Sequence, residues 1–233
     1  MTPAPLPAHY RYERKFIARG VSLAEVLAMV RRHPALFREA YPPRAINNLY
    51  LDSPGLKDYH DHVGGTANRL KTRIRWYGPL HGHILRPTLE QKIKRGQVSR
   101  KVSQSLPALH VNGGLPRPVL DATLDGAGLP DRLRAGLRQI EPTLVNRYQR
   151  RYYESADHRF RLTVDLDLEF LAPNRAGSPV WQPVPGRPHD IIIELKYAPE
   201  HAVAVAAVTN HLPFRMARCS KYVLGIEQLQ EGR

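Results

Sequence analysis

The stretch from Asn68 to Tyr77 carries a basic residue at every second position. Lys71, Arg73 and Arg75 alternate there with residues that are mostly apolar or β-branched. A period of two is the period of a β-strand, so the pattern predicts three cations on one strand face and a packing surface on the other. These cations would lie about 6–7 Å apart and would repel one another unless an anion lay among them. The alternative is a basic face that is simply solvated, as most charge runs are.

The same alternation of charged and apolar residues recurs along the chain. Six strand candidates carry it, at 11–15, 71–75, 90–94, 147–151, 161–169 and 192–196. Most of the predicted strands follow one another without a crossover helix, so the sheet is predicted to be mainly antiparallel. Ser22 and Glu25 form a capping-box pattern that predicts a helix after the first strand. The segment 200–211 and the C-terminus suit further helices, which makes the predicted fold class α+β.

Two arrangements would suit a sheet face with this many charged residues. The face could remain in water, or the sheet could close into a barrel with a polar lumen and helices packed on the outside. The later strands favour the barrel because they mix carboxylates with cations. A lumen lined by about ten Lys and Arg would demand counter-ions. Because Arg binds phosphate through two hydrogen bonds and Lys supplies a point charge, a chain of phosphates is the anion that suits such a lumen.

The charge balance agrees with an anionic ligand but does not choose one. The 233 residues include 35 Lys and Arg against 21 Asp and Glu, a net charge of +14. Such a field attracts nucleic acid, acidic lipid or phosphate-rich small molecules. Nucleic acid is the runner-up, and it predicts aromatic residues interleaved with the basic faces. Tyr12, Phe16, Trp76 and Tyr77 do not form such a stripe, so no nucleic-acid partner is expected.

The rest of the composition predicts a cytoplasmic domain. No apolar run approaches the ~18–20 residues of a membrane span, and the N-terminus lacks a signal-peptide pattern. We expect the Pro-rich residues 1–8 to be disordered and residues 9–233 to form a single domain. Cys219 is the one cysteine, which excludes an internal disulfide and a cysteine-based zinc site and favours a reducing compartment. We expect it to be a packing residue.

Four carboxylates fall among the cations of the predicted strands: Glu13, Glu90, Asp165 and Glu194. Each could simply compensate charge by ion pairing. Alternatively, one or more could hold Mg²⁺ or Mn²⁺, hard ions that bridge carboxylate and phosphate oxygens. Glu194 is the first candidate, since it lies in mid-strand beside Lys196 after a run of isoleucines.

Other site patterns are absent or weak. The sequence contains no Gly-x-x-x-x-Gly-Lys-[Ser/Thr], Gly-x-Gly-x-x-Gly or Gly-x-Ser-x-Gly motif. His60 and His62 could suggest a metal site, but they lie in a predicted turn without further ligands, and we expect them to be structural or surface residues.

A series of short motifs runs through nearly the whole chain. They are Tyr12–Phe16, Asn47–Ser53, Leu56–His60, Asn68–Gly78, Leu89–Gly96, Asn146–Tyr153, Arg159–Asp165, Glu194–Tyr197 and Ser220–Tyr222. In this order they resemble the triphosphate tunnel metalloenzyme (CYTH-like) superfamily and, within it, the polyphosphate polymerase domain of the vacuolar transporter chaperone (VTC) family. Each motif is weak alone, and their order makes the resemblance specific.

The resemblance implies an eight-stranded antiparallel tunnel, with helices packed on the outside, that holds triphosphate or polyphosphate and Mn²⁺ or Mg²⁺. The implied phosphate-binding residues are Lys15, Arg73, Arg75, Lys92, Lys94, Arg147, Arg151, Arg161, Lys196, Arg218, Ser220 and Lys221. The implied catalytic residues are Lys15, Arg73, Arg75 and Glu194. The implied metal ligands are Glu194, Glu13 and Glu90.

One position departs from the superfamily pattern. Hydrolytic and cyclase relatives begin with Glu-x-Glu-x-Lys, whereas Arg11 stands in place of the first Glu here. This departure favours the polymerase-like branch, whose implied activity is transfer of the γ-phosphoryl group of ATP to a growing polyphosphate chain. The alternatives are hydrolysis of short polyphosphate and non-catalytic binding of polyphosphate or inositol pyrophosphate. The resemblance also leaves room for a membrane-spanning partner.

Overall fold

The computed structural model describes residues 11–96, 98–173, 180–185 and 190–232, so the predicted disorder of residues 1–8 lies outside the described residues. The strands are β1 (Tyr12–Ala18), β2 (Arg38–Asp52), β3 (Asn68–Tyr77), β4 (Gly82–Ile84), β5 (Thr88–Arg95), β6 (Val98–Ser105), β7 (Leu109–Val111), β8 (Glu141–Glu154), β9 (Phe160–Ala172), β10 (Gln182–Pro183), β11 (Ile191–Tyr197) and β12 (Arg215–Met216). The helices are α1 (Leu23–Arg32), α2 (Lys57–Val63), α3 (Arg117–Asp125), α4 (Asp131–Arg138), α5 (Val205–Thr209) and α6 (Lys221–Glu231), with a 3₁₀ turn at Pro199–His201.

One antiparallel sheet contains most of these strands. Its eight long strands follow the order β1-β11-β9-β8-β2-β3-β5-β6, with the short β12 beside β1 and the short β10 beside β9. The two remaining strands, β4 and β7, pair separately. The predicted α+β fold with a large antiparallel sheet is confirmed, and β3 has the predicted bounds.

The sheet is strongly curved but is not closed by hydrogen bonds. Five strands separate β1 from β5 in the sheet order, yet the Lys92 ammonium on β5 lies 3.2 Å from the Glu13 carboxylate on β1. The sheet must therefore curl until its two ends face one another. Within the described ranges no backbone pairing joins β6 to β1 or β12. The ion pair between Glu13 and Lys92 spans the gap that backbone hydrogen bonds would close in the predicted barrel.

Four helices pack on the convex side of the sheet. Helix α1 begins with the predicted capping box, in which Ser22 and Glu25 satisfy each other's backbone. Its buried Val26 and Val30 join a core with Val205 and Val208 of α5 and with the apolar residues of β1, β9 and β11. Helices α3 and α4 cover the apolar face of β2, β3 and β5 in a second core. These helices lie on the outside, as predicted.

Helix α6 lies on the other side of the sheet, in contrast to the helices that pack on the outside as predicted. Its Tyr222 and Ile226 share a core with Leu144 of β8 and Phe170 of β9. Its first residue, Lys221, points at carboxylates on the concave side. Helix α6 therefore covers part of the concave surface. None of the helices in the described ranges has the length and apolar composition needed to cross a bilayer.

A bulge in β9 makes the packing of α6 possible. The sequence predicts Leu168 and Phe170 on the same face as Leu162 and Val164, because the strict alternation runs unbroken. In the structure Asp167 has a φ of 53°, and the register against β8 shifts there by one residue. Leu168 and Phe170 consequently turn to the concave side, where they pack with α6.

Gly225 allows α6 to approach the sheet closely. A Cβ at this position would lie 2.4 Å from Leu144 Cδ2 and 2.5 Å from Phe170 Cδ1. We expect Gly225→Ala to destabilise the protein by about 1–3 kcal/mol, the usual cost of overpacking, as measured by denaturant unfolding. Gly136→Ala on α4 is the matched control: nothing lies within 4 Å of its Cβ position, so the better helix propensity of Ala predicts a gain of up to about 1 kcal/mol. A neutral Gly225→Ala would contradict the close approach.

Candidate functional site

The concave side of the sheet, which we call the inner face, carries most of the charged residues singled out from the sequence. Cross-strand partners fix their orientation, because directly opposite residues of antiparallel strands lie on the same side. Lys15 is opposite Glu194, and Arg73 is opposite Glu90. By this register and by alternation along each strand, the inner face carries Glu13, Lys15, Arg44, Lys71, Arg73, Arg75, Glu90, Lys92, Lys94, Arg150, Arg161, Asp165, Glu194 and Lys196.

Glu194 is the most densely paired carboxylate of the inner face. Its oxygens lie 2.9 Å from Lys15 Nζ, 3.0 Å from Lys196 Nζ, 3.2 Å from a terminal nitrogen of Arg150 and 3.5 Å from Lys221 Nζ. Burial by itself would raise the pKa of Glu194, but the surrounding cations, Lys15 foremost, hold the pKa well below its usual range. The carboxylate is therefore ionised and organises four cations around one point.

Asp165 supports the same cluster from β9. The Arg150 guanidinium donates to both of its oxygens, at 2.5 and 2.6 Å, and Lys221 Nζ lies 2.5 Å away. Asp165 is 1% exposed. Burial opposes its ionisation, yet Arg150 and Lys221 together lower its pKa. The pair of Asp165 and Glu194 thus fixes Arg150 and Lys221 in a rigid arrangement.

Two further carboxylates hold cations elsewhere on the inner face. Glu13 lies 3.2 Å from both Lys15 and Lys92. Glu90 accepts two hydrogen bonds from Arg73, at 2.6 and 2.9 Å, and lies 2.9 Å from Lys101. Glu13 therefore holds one cation of its own strand, β1, and one of β5, whereas Glu90 on β5 holds cations of the neighbouring strands β3 and β6.

Within the described ranges, some polar groups of the inner face contact no carboxylate, and one of them has no hydrogen-bond partner. Lys71 Nζ lies 2.7 Å from Ser220 Oγ and 3.1 Å from His62 Nε2. Burial and neighbouring cations, chiefly Lys15 and Lys92, lower the pKa of Lys71 strongly, while burial and Lys71 lower that of His62 to about 3. Thr163, opposite Glu194, is buried, and its hydroxyl has no hydrogen-bond partner among the described residues. These groups are suited to receive an anionic ligand.

The carboxylates of the inner face give stability a defined pH dependence. Burial would raise the pKa of Glu13 and Glu90, but Lys15 and Arg73 respectively, with other cations, lower each from 4.5 to about 2. Between these values the unfolded chain binds more protons than the folded one, so stability falls as pH falls from about 4.5 to 2. We expect the thermal midpoint to decrease steadily across this window. A midpoint that stayed level down to pH 2 would contradict the ion-pair assignments.

The structure separates the residues predicted to bind phosphate into two groups. Lys15, Arg73, Arg75, Lys92, Lys94 and Lys196 lie on the inner face, with Lys221 and Ser220 at the start of α6. Arg147 and Arg151 lie on the opposite face of β8 from Arg150, because they alternate with it, so the prediction that they point into the tunnel is wrong. Arg151 lies 4.0 Å from Glu39. Arg161 lies opposite Lys196 and therefore also on the inner face, but it pairs with Glu154 and its side chain is 57% exposed. Arg218 is exposed.

Sequence reasoning missed Arg150 and Thr163 and assigned no binding role to His62. It counted Lys71 among the alternate cations of β3 but not among the implied phosphate-binding residues. Arg147 and Arg151 share one face of β8, and alternation from these two residues selects that face as the basic one. Arg150, directly before Arg151, lies on the other face and was therefore not selected. The signal that could have found it is Tyr148, two positions earlier, since Tyr148 shares a face with Arg150 and its ring lies 5.3 Å from the guanidinium. Cys219 packs beside the core of α6, as expected.

The carboxylates fit a divalent metal only as part of a ligand set. Among the described residues there is no group of three or more His, Cys, Asp or Glu that could hold an ion by itself. One ammonium, that of Lys15, bridges Glu13 and Glu194, so these two ionised carboxylates converge on one place. Carboxylate oxygens suit Mg²⁺ or Mn²⁺, which commonly take one or two protein carboxylates together with phosphate oxygens and water. Glu90 lies apart and is already bonded to Arg73 and Lys101.

Three solved structures share the fold at low sequence identity. A protein from Pyrococcus horikoshii OT3 matches with a TM-score of 0.53 and 15% identity, over 94% of this chain and 99% of the other. A candidate adenylate cyclase from Vibrio parahaemolyticus gives 0.51 and 11%, over 93% and 98% of the two chains. A candidate adenylyl cyclase from Hippeastrum, described as having a dominant triphosphatase activity, gives 0.50 and 14%, over 96% of each chain. The fold is that of the triphosphate tunnel (CYTH-like) proteins.

A family model narrows this class. Residues 10–230 match the model of the VTC domain, which is nearly the entire chain. The protein therefore belongs to the VTC domain family. No curated protein matches the chain.

Proposed function

We propose that this protein is a metal-dependent polyphosphate polymerase that transfers the γ-phosphoryl group of ATP to the end of a growing polyphosphate chain. The observation that carries the proposal is the excess of cations over carboxylates on the inner face, where most of the cations are half-buried. Burial lowers the pKa of Lys71, Lys92 and Lys94, and neighbouring cations add to this effect. A linear polyanion supplies the negative charge that these lysines lack.

Arg73 and Arg75 are proposed to hold the phosphates in line. Arg73 is oriented by Glu90, and Arg75 donates to Asn48 Oδ1 at 2.8 Å. Both guanidinium groups are thus fixed before substrate binds, and phosphoryl transfer depends mainly on such positioning and on charge stabilisation. Lys92, Lys94, Lys196, Lys221 and Ser220 would complete the phosphate path.

The proposed reaction breaks the bond between the γ-phosphorus and the β–γ bridging oxygen and forms a bond to a terminal phosphate oxygen of the acceptor chain. ADP leaves with the bridging oxygen. The acceptor oxygen is already anionic, so no general base with a pKa near seven is required. Lys15, held between Glu13 and Glu194, is placed to stabilise charge on the transferred group.

A divalent ion, when bound, would neutralise phosphate charge and act as a Lewis acid. Glu194 and Glu13 are the residues proposed to hold it, with the remaining ligands from phosphate and water. The hydroxyl of Thr163, opposite Glu194, has no hydrogen-bond partner in the part of the chain that the structure describes, and we propose that it donates to a phosphate oxygen or to a water there.

Hydrolysis of short polyphosphate is the second candidate function. It is favoured by the similarity in fold to the Hippeastrum protein with its described triphosphatase activity. The same inner face could present tripolyphosphate to water. The replacement of the first glutamate of the hydrolytic pattern by Arg11 speaks against it.

Incubation with ATP and Mn²⁺ or Mg²⁺ tests the proposal. A polymerase yields a ladder of polyphosphate on a gel, together with ADP. Release of free phosphate from tripolyphosphate without a ladder would replace the proposal with the hydrolase, and tight binding without either product would indicate a binding module. A membrane-spanning partner and a cytoplasmic setting stay predictions.

A further inference from the structure

Three tyrosine rings surround one arginine where β2, β3 and β8 meet. The guanidinium carbon of Arg44 lies 5.3 Å from the ring centre of Tyr41, 5.7 Å from that of Tyr152 and 5.8 Å from that of Tyr77. We call these four residues the tyrosine platform. Tyr41 is 54% exposed and Tyr77 is 49% exposed. The platform therefore offers an aromatic and cationic surface to solvent.

The platform continues the inner face beyond the proposed phosphate path. Arg44 is directly opposite Arg150 in the pairing of β2 with β8, so both side chains lie on the same side of the sheet. Tyr152 follows Arg150 by two positions, and Tyr77 follows Arg75 by two positions. Each step of two residues advances about 6–7 Å along a strand. The tyrosines thus lie next in line after two cations of the inner face.

Rings and guanidinium planes arranged in this way suit a flat, electron-rich ligand. Nucleobases stack on tyrosine rings and on arginine planes, and such stacking tolerates different bases because every base has a π-face. A phosphate group would use the charge of Arg44 but not the rings. The combination of three rings with one cation, adjoining a basic channel, therefore favours a ligand with a base at one end and phosphates at the other.

We propose that the tyrosine platform binds the base of a nucleoside triphosphate whose phosphates lie on the inner face. This inference rests on the proposed function and extends it, because it assigns the protein a subsite that inorganic polyphosphate cannot fill. The protein would then distinguish the phosphoryl donor from the acceptor by the base. The nucleotide binds the platform through its base, whereas the polyphosphate chain contacts only the cations.

Calorimetric titration of the full chain with ATP and, separately, with inorganic tripolyphosphate tests the platform. The double variant Tyr41→Ala, Tyr77→Ala removes its two half-exposed rings. We expect ATP to bind at least about 10-fold more weakly to this variant, as the loss of base stacking predicts, while tripolyphosphate affinity changes less than about twofold. Tyr41→Phe with Tyr77→Phe keeps the rings and should retain ATP affinity. Val203→Ala, at a residue that is 94% exposed and lies outside the platform, controls for the effect of a surface substitution on ligand affinity.

The two ligands separate the failure of the platform from the failure of the proposed function. If the Ala variant kept its ATP affinity, or lost affinity for both ligands equally, the platform assignment would be overturned while tripolyphosphate binding by the unaltered protein still supported the inner face as a phosphate site. If the unaltered protein bound neither ligand, the proposed function and the platform would both be rejected.

Discussion

Glu194→Gln is expected to reduce phosphoryl transfer by roughly 100- to 1,000-fold, the effect of removing one preorganised electrostatic group from an active site, and to leave phosphate binding intact. The amide has nearly the same shape but cannot hold a divalent ion or neutralise Lys15, Lys196 and Lys221. Since those cations then lack their shared counter-ion, their attraction for an added polyanion increases. Single-turnover measurements of product formation should therefore fall while tripolyphosphate affinity stays constant or rises.

The same substitution is expected to destabilise the ligand-free protein. Removing one member of a buried ion-pair network typically costs about 3–5 kcal/mol, because the remaining charges stay buried. Added tripolyphosphate should recover much of this loss, so the ligand-induced rise in thermal midpoint should be larger for Glu194→Gln than for the unaltered protein. Glu200→Gln, at an exposed residue, is the matched control. A variant with normal turnover would exclude Glu194 from the reaction.

The sequence predicted most of the strand faces because alternation is a local property. Arg73 and Glu90 lie on the predicted faces of β3 and β5, and each is directly opposite the other. On β8 the same reasoning chose the wrong face, since alternation identifies which residues share a side but not which side is concave. Only the contacts of Arg150 with Asp165 and Glu194 decide that question.

Two other features depended on contacts between distant segments. The bulge in β9 at Asp167 cannot be recognised in a sequence that alternates without interruption. A bulge adds one residue to a strand without changing the composition of that strand. The position of α6 on the inner face requires both this bulge and the absence of a side chain at Gly225, which lets the helix meet Leu144 and Phe170. Neither can be derived from local pattern alone.

Arg73→Ala combined with Arg75→Ala is expected to weaken tripolyphosphate binding by about 100-fold or more, since hydrogen bonds to charged groups contribute roughly 1.5–3 kcal/mol each. Fewer cations on the inner face should also make the decrease of affinity with salt shallower. Titrations at several salt concentrations measure both effects. The variant Arg73→Lys with Arg75→Lys keeps the charge but loses the paired donors. Its tripolyphosphate affinity should therefore lie between that of the unaltered protein and that of the double Ala variant.

Arg134→Ala with Arg138→Ala provides the matched control for charge. These arginines lie on α4, on the convex side of the sheet, and pair with Asp131 and Asp125 at exposed positions. The control removes the same net charge, so it lowers the overall field of the protein equally while leaving the inner face unchanged. Equal losses in the two double variants would mean that polyphosphate responds only to net charge. An unchanged affinity in the Arg73 and Arg75 variant would remove the inner face as the binding site, since both guanidinium groups are fixed there by Glu90 and Asn48.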